Sequence, residues 1–506
     1  MSTPRALDTY QWPPSTEELS QRTGIRPQQI LRFDGNTPAV APASARPATL
    51  ARALADVNEY DRGRYHALRQ AIAHHHGVGL DQVSLGAGSD EFIVLVAALF
   101  AQNGTVAWVP QDSYSMYRYG AAMARATVVE NPRDANLVYV CRPNNPTGEL
   151  CTIPDVTGQL VIDEAYAQYA GVDEIARVDD GAIVLRTFSK AFGLAGARVG
   201  YAIASPETTA IINSRQAPLS VSSLSAALAL AALTSPLDVS AQVAERERVA
   251  RELHTLGLTP LTSFTNFLFV PMNDPQALVQ RMLAYGLVLR AYEKGLRISI
   301  RDDIDDDILL GALRTELLGE PLAAAPLRYR RATAETRLDI RLRVAGEGRV
   351  FVNTGEGFYD HMLTQLAFHG GMDLRLEGVG DLETGVHHTV EDTMRAFGEA
   401  LDQAMGNRTG LARYGESRVP MDEAIAHAVV DLSGRATATL DIQPDPGMAA
   451  HAFESLAQTA RITLHVTASG ENAHHVAEAA FKAVGRAMGQ ALARDGSLVR
   501  STKGSL

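Results

Sequence analysis

The pattern His387-His388-Thr389-Val390-Glu391 returns as His474-His475-Val476-Ala477-Glu478, and two His-His-x-x-Glu motifs in one chain ask for one explanation. On a helix, residues three and four apart share a face, so each motif would bring two imidazoles and a carboxylate to one spot. Imidazole with carboxylate is a ligand set suited to a divalent transition metal. Upstream, His361 in the segment 360–367 has a counterpart in His451 of the segment 450–457, with gaps of 26 and 23 residues to the two pairs. Each half of a duplicated domain would then supply a histidine, a histidine pair and a glutamate. Adjacent histidines at polar helix starts do occur by chance, but two matched constellations make that the weaker reading. His369, His427 and His465 fall outside the pattern and read as packing or supporting residues.

A second constellation surrounds Lys190, which follows the strand-like run Ile183-Val184-Leu185 in Arg186-Thr187-Phe188-Ser189-Lys190, with Arg198 eight residues on. Another strand-like run, Leu160-Val161-Ile162, delivers Asp163-Glu164-Ala165-Tyr166. A lysine can form a Schiff base with a carbonyl, hydroxyls plus an arginine can hold a phosphate, and a carboxylate can pair with a protonated pyridine nitrogen. Those are the needs of pyridoxal phosphate. Each residue alone is more often structural, and their joint order carries the reading.

The elements that must position these groups divide at Leu318-Gly-Glu-Pro-Leu-Ala-Ala-Ala-Pro-Leu327, where two prolines and a glycine in ten residues read as a linker. The expected domains are 1–318 and 329–506, with 319–328 between them. In the first, runs at 105–109, 137–140, 160–162 and 182–185 alternate with helix-like segments, which predicts an α/β domain with a mainly parallel sheet and ligands at the strands' carboxyl ends. In the second, strict alternation over Arg337–Val344 predicts a sheet with one wet face, and Val390, Met394, Phe397 and Leu401 give the first His-His-x-x-Glu helix an apolar face to lay on it. Strands followed by helices recur in two halves, about 331–410 and 411–495.

A net charge of −12 argues against nucleic acid or an anionic membrane as main partner. Two cysteines, Cys141 and Cys151, offer no disulfide framework. No stretch reads as a signal peptide or a membrane span, so the expected location is the cytoplasm.

The N-terminal part resembles fold-type I aminotransferases, and among them the histidinol-phosphate aminotransferases, through Arg142-Pro-Asn-Asn-Pro-Thr-Gly148, Asp163–Tyr166, Thr187–Arg198 and Leu296–Ile300. The resemblance, over roughly residues 25–318, implies that Lys190 carries the cofactor, Asp163 pairs with the pyridine nitrogen, and Asn145 and Tyr166 bond the ring's phenolic oxygen. It implies stacking by Tyr114 and a phosphate cup of Ser89 and Asp90 at a helix start, with Thr187, Ser189 and Arg198. Arg297 would clamp the amino donor's carboxylate, with Arg290, Asn36 and Tyr60 as further substrate contacts, Tyr60 from across a dimer. Asp34-Gly-Asn-Thr-Pro38 departs from the family by lacking the acidic residue usual after that asparagine.

The C-terminal part is similar to imidazoleglycerol-phosphate dehydratases over residues 330–506, through Arg331–Thr336, Asp360–Leu363, His387–Asp392, Val419–Ala424, Asp431–Arg435, His474–Glu478 with Phe481-Lys482, and Ser501–Gly504. That implies an α+β domain of two sheet-plus-helices halves. It also implies two manganese ions held by His361, His387, His388, Glu391, His451, His474, His475 and Glu478, in sites completed across subunits of a large symmetric shell. Arg413, Arg435, Ser501 and Lys503 would bind the substrate phosphate. Glu335 and Glu478 are the candidate proton carriers. The segment 381–386 lacks the acidic residues the family has just before the first pair, so the support of those histidines is expected to differ.

The two resemblances explain each other. A dehydratase of this kind makes imidazole acetol phosphate, and an aminotransferase of the first kind converts it with glutamate to histidinol phosphate. The expectation is a bifunctional histidine-biosynthesis enzyme, a homo-oligomer of aminotransferase dimers attached to the dehydratase shell. Its rivals are an aminotransferase or decarboxylase for another substrate in the first domain, and a non-catalytic metal-dependent scaffold in the second.

Overall fold

A computed structural model describes residues 12–25, 27–39, 41–42, 44–45, 47–61, 63, 65–320, 326–496 and 499–501. The chain forms two compact units that divide after Glu320.

In the first unit a seven-stranded sheet is built from β1 (Val83–Gly86), β2 (Thr105–Val109), β3 (Thr127–Val128), β4 (Leu137–Cys141), β5 (Gln159–Asp163), β6 (Ile183–Thr187) and β7 (Gly200–Ile203), in the order β1-β7-β6-β5-β4-β2-β3. The stretch from β6 to β3 is parallel, while β7 is reversed and pairs antiparallel with both β6 and the edge strand β1. Strand β4, Leu-Val-Tyr-Val-Cys, is buried throughout, as expected of a continuous apolar run in a sheet covered on both faces. Register aligns Cys141 with Asp163, and Asp163 with Leu185, so neighbouring strands end side by side and hand their next residues to the same place. Helix α1 (Ser89–Phe100) starts there too. Its entry depends on two glycines: Gly88 has φ +83, and a Cβ on Gly200 would stand 2.5 Å from the Gly88 carbonyl carbon and the Ser89 nitrogen. A three-stranded sheet of β8 (Phe267–Pro271), β9 (Arg290–Tyr292) and β10 (Gly295–Ser299) carries Arg290 and Arg297 in paired register.

The second unit contains the predicted repeat. Strands β11 (Leu327–Ala332), β12 (Thr336–Arg343), β13 (Val350–Asn353) and β14 (Asp373–Gly380) form one sheet, ordered β11-β12-β14-β13. Strands β15 (Tyr414–Met421), β16 (Ala424–Asp431), β17 (Thr437–Gln443) and β18 (Thr463–Ser469) repeat it as β15-β16-β18-β17, with the same alternation of antiparallel and parallel pairs. Leu327 and Arg328, expected in the linker, belong to β11, because Leu327 pairs with Leu342 and Arg328 with Arg341.

Four helices fill the space between: α2 (Gly357–His369) and α3 (His387–Met405) from the first half, α4 (Ala449–Ala460) and α5 (Ala473–Leu492) from the second. They share one apolar core that draws on both halves. Repeat-matched glycines set the pairing. A Cβ on Gly398 of α3 would meet Thr459 Oγ1 of α4 at 2.1 Å, and one on Gly485 of α5 would meet the Leu366 carbonyl of α2 at 2.2 Å. Each half's second helix therefore packs closely on the other half's first helix. Among the described residues no helix is long and apolar enough to cross a membrane.

Candidate active sites

At the carboxyl ends of the first unit's strands lies a cavity of about 480 Å³, and all ten residues anticipated around a cofactor line it: Ser89, Asp90, Tyr114, Asn145, Asp163, Tyr166, Thr187, Ser189, Lys190 and Arg198. Asp163 is buried at the floor, its Oδ2 accepting from the Tyr117 hydroxyl at 2.8 Å and its Oδ1 from the Ala165 amide at 3.1 Å. Burial pushes its carboxyl up to about 6, against the lowering effect of those two donors. Burial, reinforced by the charges of Arg297 and Arg198, brings the Lys190 amine down to about 8. That amine lies 3.3 Å from the Gly35 carbonyl and over the Tyr166 ring.

At one end of the cavity the α1 N-terminus, Thr187, Ser189 and Arg198 converge. Thr187 Oγ1 donates to Ser189 Oγ at 3.0 Å, and Arg198 bridges to Ser189 and to Asp90. Helix amides, two hydroxyls and a guanidinium make a cup for a phosphate group. Tyr114 donates to Asp90 at 3.0 Å. Arg297 donates to Asn145 Oδ1 at 2.6 Å and to the Asp34 carbonyl at 2.7 Å. Asn36, buried with φ +52, donates to the Tyr166 oxygen at 3.0 Å. Tyr60 is 79% exposed and borders a separate groove, and Arg290 lies over Tyr292. Acid below, amine above and an anion cup at one end fit pyridoxal phosphate.

Tyr117 carries no expectation from sequence alone; its place three residues after Tyr114, in the first turn of the helix Ser115–Met123, was the available signal. Trp12 and Cys141, which also line the cavity, carried none.

The second unit holds two three-ligand clusters, and they correct the expected pairing. His361 joins His474 and Glu478, and His451 joins His387 and Glu391, with ligand atoms in each cluster within 4.8 Å of one another. The upstream histidine thus serves the other half's motif, because α2 packs on α5 and α4 on α3. In the first cluster Glu478 Oε2 stands 3.6 Å from His361 Nε2 and 3.4 Å from His474 Nε2. In the second, Glu391 Oε2 stands 3.5 Å from His387 Nε2 and 3.6 Å from His451 Nε2. Such separations are those of ligands sharing a metal at roughly 2.1 Å. His451 Nε2 is buried without a hydrogen-bond partner, as suits an atom reserved for a cation. The donor set fits a divalent metal.

The second histidine of each pair does not join its own motif's cluster, since side chains one residue apart on a helix diverge. His388 Nδ1 pairs with Asp381 at 3.1 Å and lies 3.7 Å from Glu335, and together these carboxylates hold its pKa above the usual value. His475 Nδ1 pairs with Glu423 at 2.8 Å, which raises the imidazole and lowers Glu423 to about 2. The positions just before His387 are Gly385 and Val386, and the carboxylate that engages His388 comes instead from Asp381, turned back by the short helical turn Leu382–Thr384. Glu478 is further engaged by Lys482 at 2.7 Å; burial would raise its pKa, and Lys482 and His361 outweigh that and hold it low.

Arg413 is gripped by Asp431 and donates to the Arg500 carbonyl, which brings it to the Ser501 segment. Arg435 is exposed after β16, and Lys503 lies outside the described residues. His427 pairs with Glu416 at 2.9 Å on the sheet surface.

Comparison with known proteins assigns each unit separately. The family model for aminotransferase class I and II matches residues 29–313, and that for imidazoleglycerol-phosphate dehydratase matches residues 354–488. The C-terminal part is similar to the imidazoleglycerol-phosphate dehydratase of Salinispora tropica, 45% identical over 198 residues covering 35% of this chain and 98% of the relative. It is equally similar to that of Gluconobacter oxydans, 45% identical over 191 residues covering 35% and 96%. The N-terminal part is similar to a crystal structure of histidinol-phosphate aminotransferase from Sinorhizobium meliloti in complex with pyridoxal-5'-phosphate. There the TM-score is 0.55 and the identity 26%, over 62% of this chain and 99% of that one.

Proposed function

Because this chain belongs to the class I and II aminotransferases through residues 29–313 and to the imidazoleglycerol-phosphate dehydratases through residues 354–488, we propose how its two sites carry out consecutive steps. The chain is a bifunctional enzyme of histidine biosynthesis. Its C-terminal unit dehydrates imidazoleglycerol phosphate to imidazole acetol phosphate, and its N-terminal unit transaminates that ketone with glutamate to histidinol phosphate. The observation that supports this most is the gathering of all ten anticipated cofactor residues in one cavity, on the chain that also carries the two metal clusters.

In the N-terminal site, pyridoxal phosphate when bound supplies the electron sink that makes an amino acid's α-proton removable. Asp163 would face its pyridine nitrogen, held as carboxylate by Tyr117 and Ala165. Asn145 and Tyr166 would orient the ring, and Thr187, Ser189, Arg198 and the α1 amides would take the phosphate. Lys190, with an amine near pKa 8, is partly neutral at neutral pH and so able to accept and return the α-proton. Arg297 would bind the donor's carboxylate, exchanging its present bond to Asn145.

In the C-terminal site, a divalent metal, manganese in this reading, would make the substrate's imidazole easier to deprotonate. Glu478 is committed to its cluster and to Lys482, which leaves Glu335 as the proton carrier. Asp381 and Glu423, by engaging Nδ1 of His388 and His475, would fix the tautomers and aim the other ring nitrogens at clusters of neighbouring copies. Such sharing requires the symmetric shell. Arg413, Arg435, Ser501 and Lys503 would hold the substrate phosphate, and the cytoplasm suits the free thiols.

The test uses the full chain with manganese, pyridoxal phosphate, imidazoleglycerol phosphate and glutamate. Lys190→Ala should accumulate the ketone, and His387→Ala/His451→Ala should transaminate only ketone supplied from outside. Histidinol phosphate from Lys190→Ala would contradict the assignment.

A further inference from the structure

The two halves of the dehydratase unit differ where their sequences should match. Matching strand β12 (Thr336–Arg343) to β16 (Ala424–Asp431) sets Glu335 against Glu423 and Thr336 against Ala424, and matching His387 to His474 sets Asp392 against Ala479. Glu423 binds His475 directly, and Ala479 is a buried side chain with nothing to bond. In the first half Asp381 has taken over the imidazole. Thr336 and Asp392, whose counterparts Ala424 and Ala479 cannot bond through their side chains, are joined here: the Thr336 hydroxyl donates to Asp392 Oδ2.

That bond belongs to a clamp. Thr333 Oγ1 also donates to Asp392 Oδ2, at 3.2 Å, and Arg331 Nη2 reaches Asp392 Oδ1 at 3.3 Å. Thr333 Oγ1 in turn accepts the amides of Glu335 and Thr336, at 3.2 and 2.9 Å, and the Thr333 amide donates to the Thr336 carbonyl at 2.9 Å. The turn 333–336 is thus closed on itself and hung from one carboxylate of α3. Asp392 lies four residues after His388, so it sits one turn down the same helix face. The free end of the turn is Glu335, half-exposed, with its carboxylate 3.7 Å from His388 Nδ1.

We propose that Asp392 is the positioning residue for Glu335, fixing the Thr333–Thr336 turn so that this carboxylate stands beside His388 at the place where the substrate's proton is moved. The inference rests on the reading of Glu335 as proton carrier. It adds that the two halves have specialised: the second keeps an acid to orient its histidine, while the first has separated orientation, done by Asp381, from proton transfer.

The experiment measures kcat, KM for imidazoleglycerol phosphate, manganese content and Tm on the full chain for Asp392→Ala, Thr336→Val, Glu335→Gln and the double variant Glu335→Gln/Asp392→Ala. A misplacement of about 1 Å costs on the order of 10²-fold in rate. Asp392→Ala should therefore lower kcat by about that factor with KM and manganese content unchanged, and Thr336→Val should lower it in the same sense. In the Glu335→Gln background Asp392→Ala should cost nothing more, since both act through one carboxylate. Should Asp392→Ala fail to fold, Thr336→Val, which keeps the side-chain shape, carries the test. An unchanged kcat in the folded variants, losses that add to that of Glu335→Gln, or loss of manganese would overturn the proposal. Full activity in Glu335→Gln alone would instead overturn the underlying reading.

Discussion

The crossed pairing of the metal ligands makes a prediction that a within-half pairing reverses. His361 shares a carboxylate with His474, and His451 shares one with His387, so His361 and His474 would serve one ion while His361 and His387 would serve two. Losing even a supporting partner of a metal ligand costs ~10–100-fold in affinity. Losing a ligand outright should cost at least the upper figure, about 2.7 kcal/mol. With free manganese at roughly ten times the wild-type Kd, an intact site is about 90% filled and a site weakened 100-fold about 10% filled. Equilibrium dialysis of the full chain then distinguishes the pairings. His361→Ala/His474→Ala, which strikes one cluster twice, should keep close to one ion per chain, whereas His361→Ala/His387→Ala, which strikes both, should keep almost none. The opposite pattern would refute the crossed arrangement, and with it the argument that Gly398 and Gly485 set which helices share a metal.

Three further outcomes follow from the N-terminal cavity. Gly200→Ala places a Cβ 2.5 Å from the Ser89 nitrogen, an overpacking of about 1–3 kcal/mol; it should weaken pyridoxal phosphate binding by roughly tenfold, read from cofactor release, and unaltered affinity would exclude the α1 amides from the phosphate cup. The Lys190 amine is shifted down, so its neutral form persists from about pH 8 upward; cofactor capture by the apo-chain should climb about tenfold per pH unit below 8 and level off above it, and a rate still rising at pH 10 would show an unperturbed amine. Asp163→Asn leaves the pyridine nitrogen without its charge partner, a loss of roughly 2–5 kcal/mol. Transamination should fall by at least about 30-fold while dehydration by the same chain stays constant, and equal losses in both would point to misfolding rather than chemistry.

What the sequence could announce was local. A His at i and a Glu at i+4 meet on any helix, and an acid or a lysine at a strand's carboxyl end faces the same crevice in any parallel sheet, so Glu391 with His387, and Asp163 with Lys190, were legible from spacing. Which upstream histidine completes each cluster was not, because it depends on how α2 meets α5 and α4 meets α3, a matter of close helix approach at Gly398 and Gly485. His388 and His475 were placed on the wrong face for the same reason that their neighbours were placed on the right one, since one residue turns a helix by about 100°. Asp381 was passed over because it stands seven residues before His388 in sequence, and only the turn at Leu382–Thr384 returns it. Tyr117 was hidden because a buried hydroxyl holding Asp163 looks, in sequence, like any aromatic in a core.

The claim that one chain performs both steps is tested most directly by giving the full protein, with manganese and pyridoxal phosphate, only imidazoleglycerol phosphate and glutamate, and following products in time. Imidazole acetol phosphate should appear first and give way to histidinol phosphate, with one 2-oxoglutarate released per histidinol phosphate formed. Dehydration without any histidinol phosphate, or transamination of supplied ketone without any dehydration, would contradict the joint function.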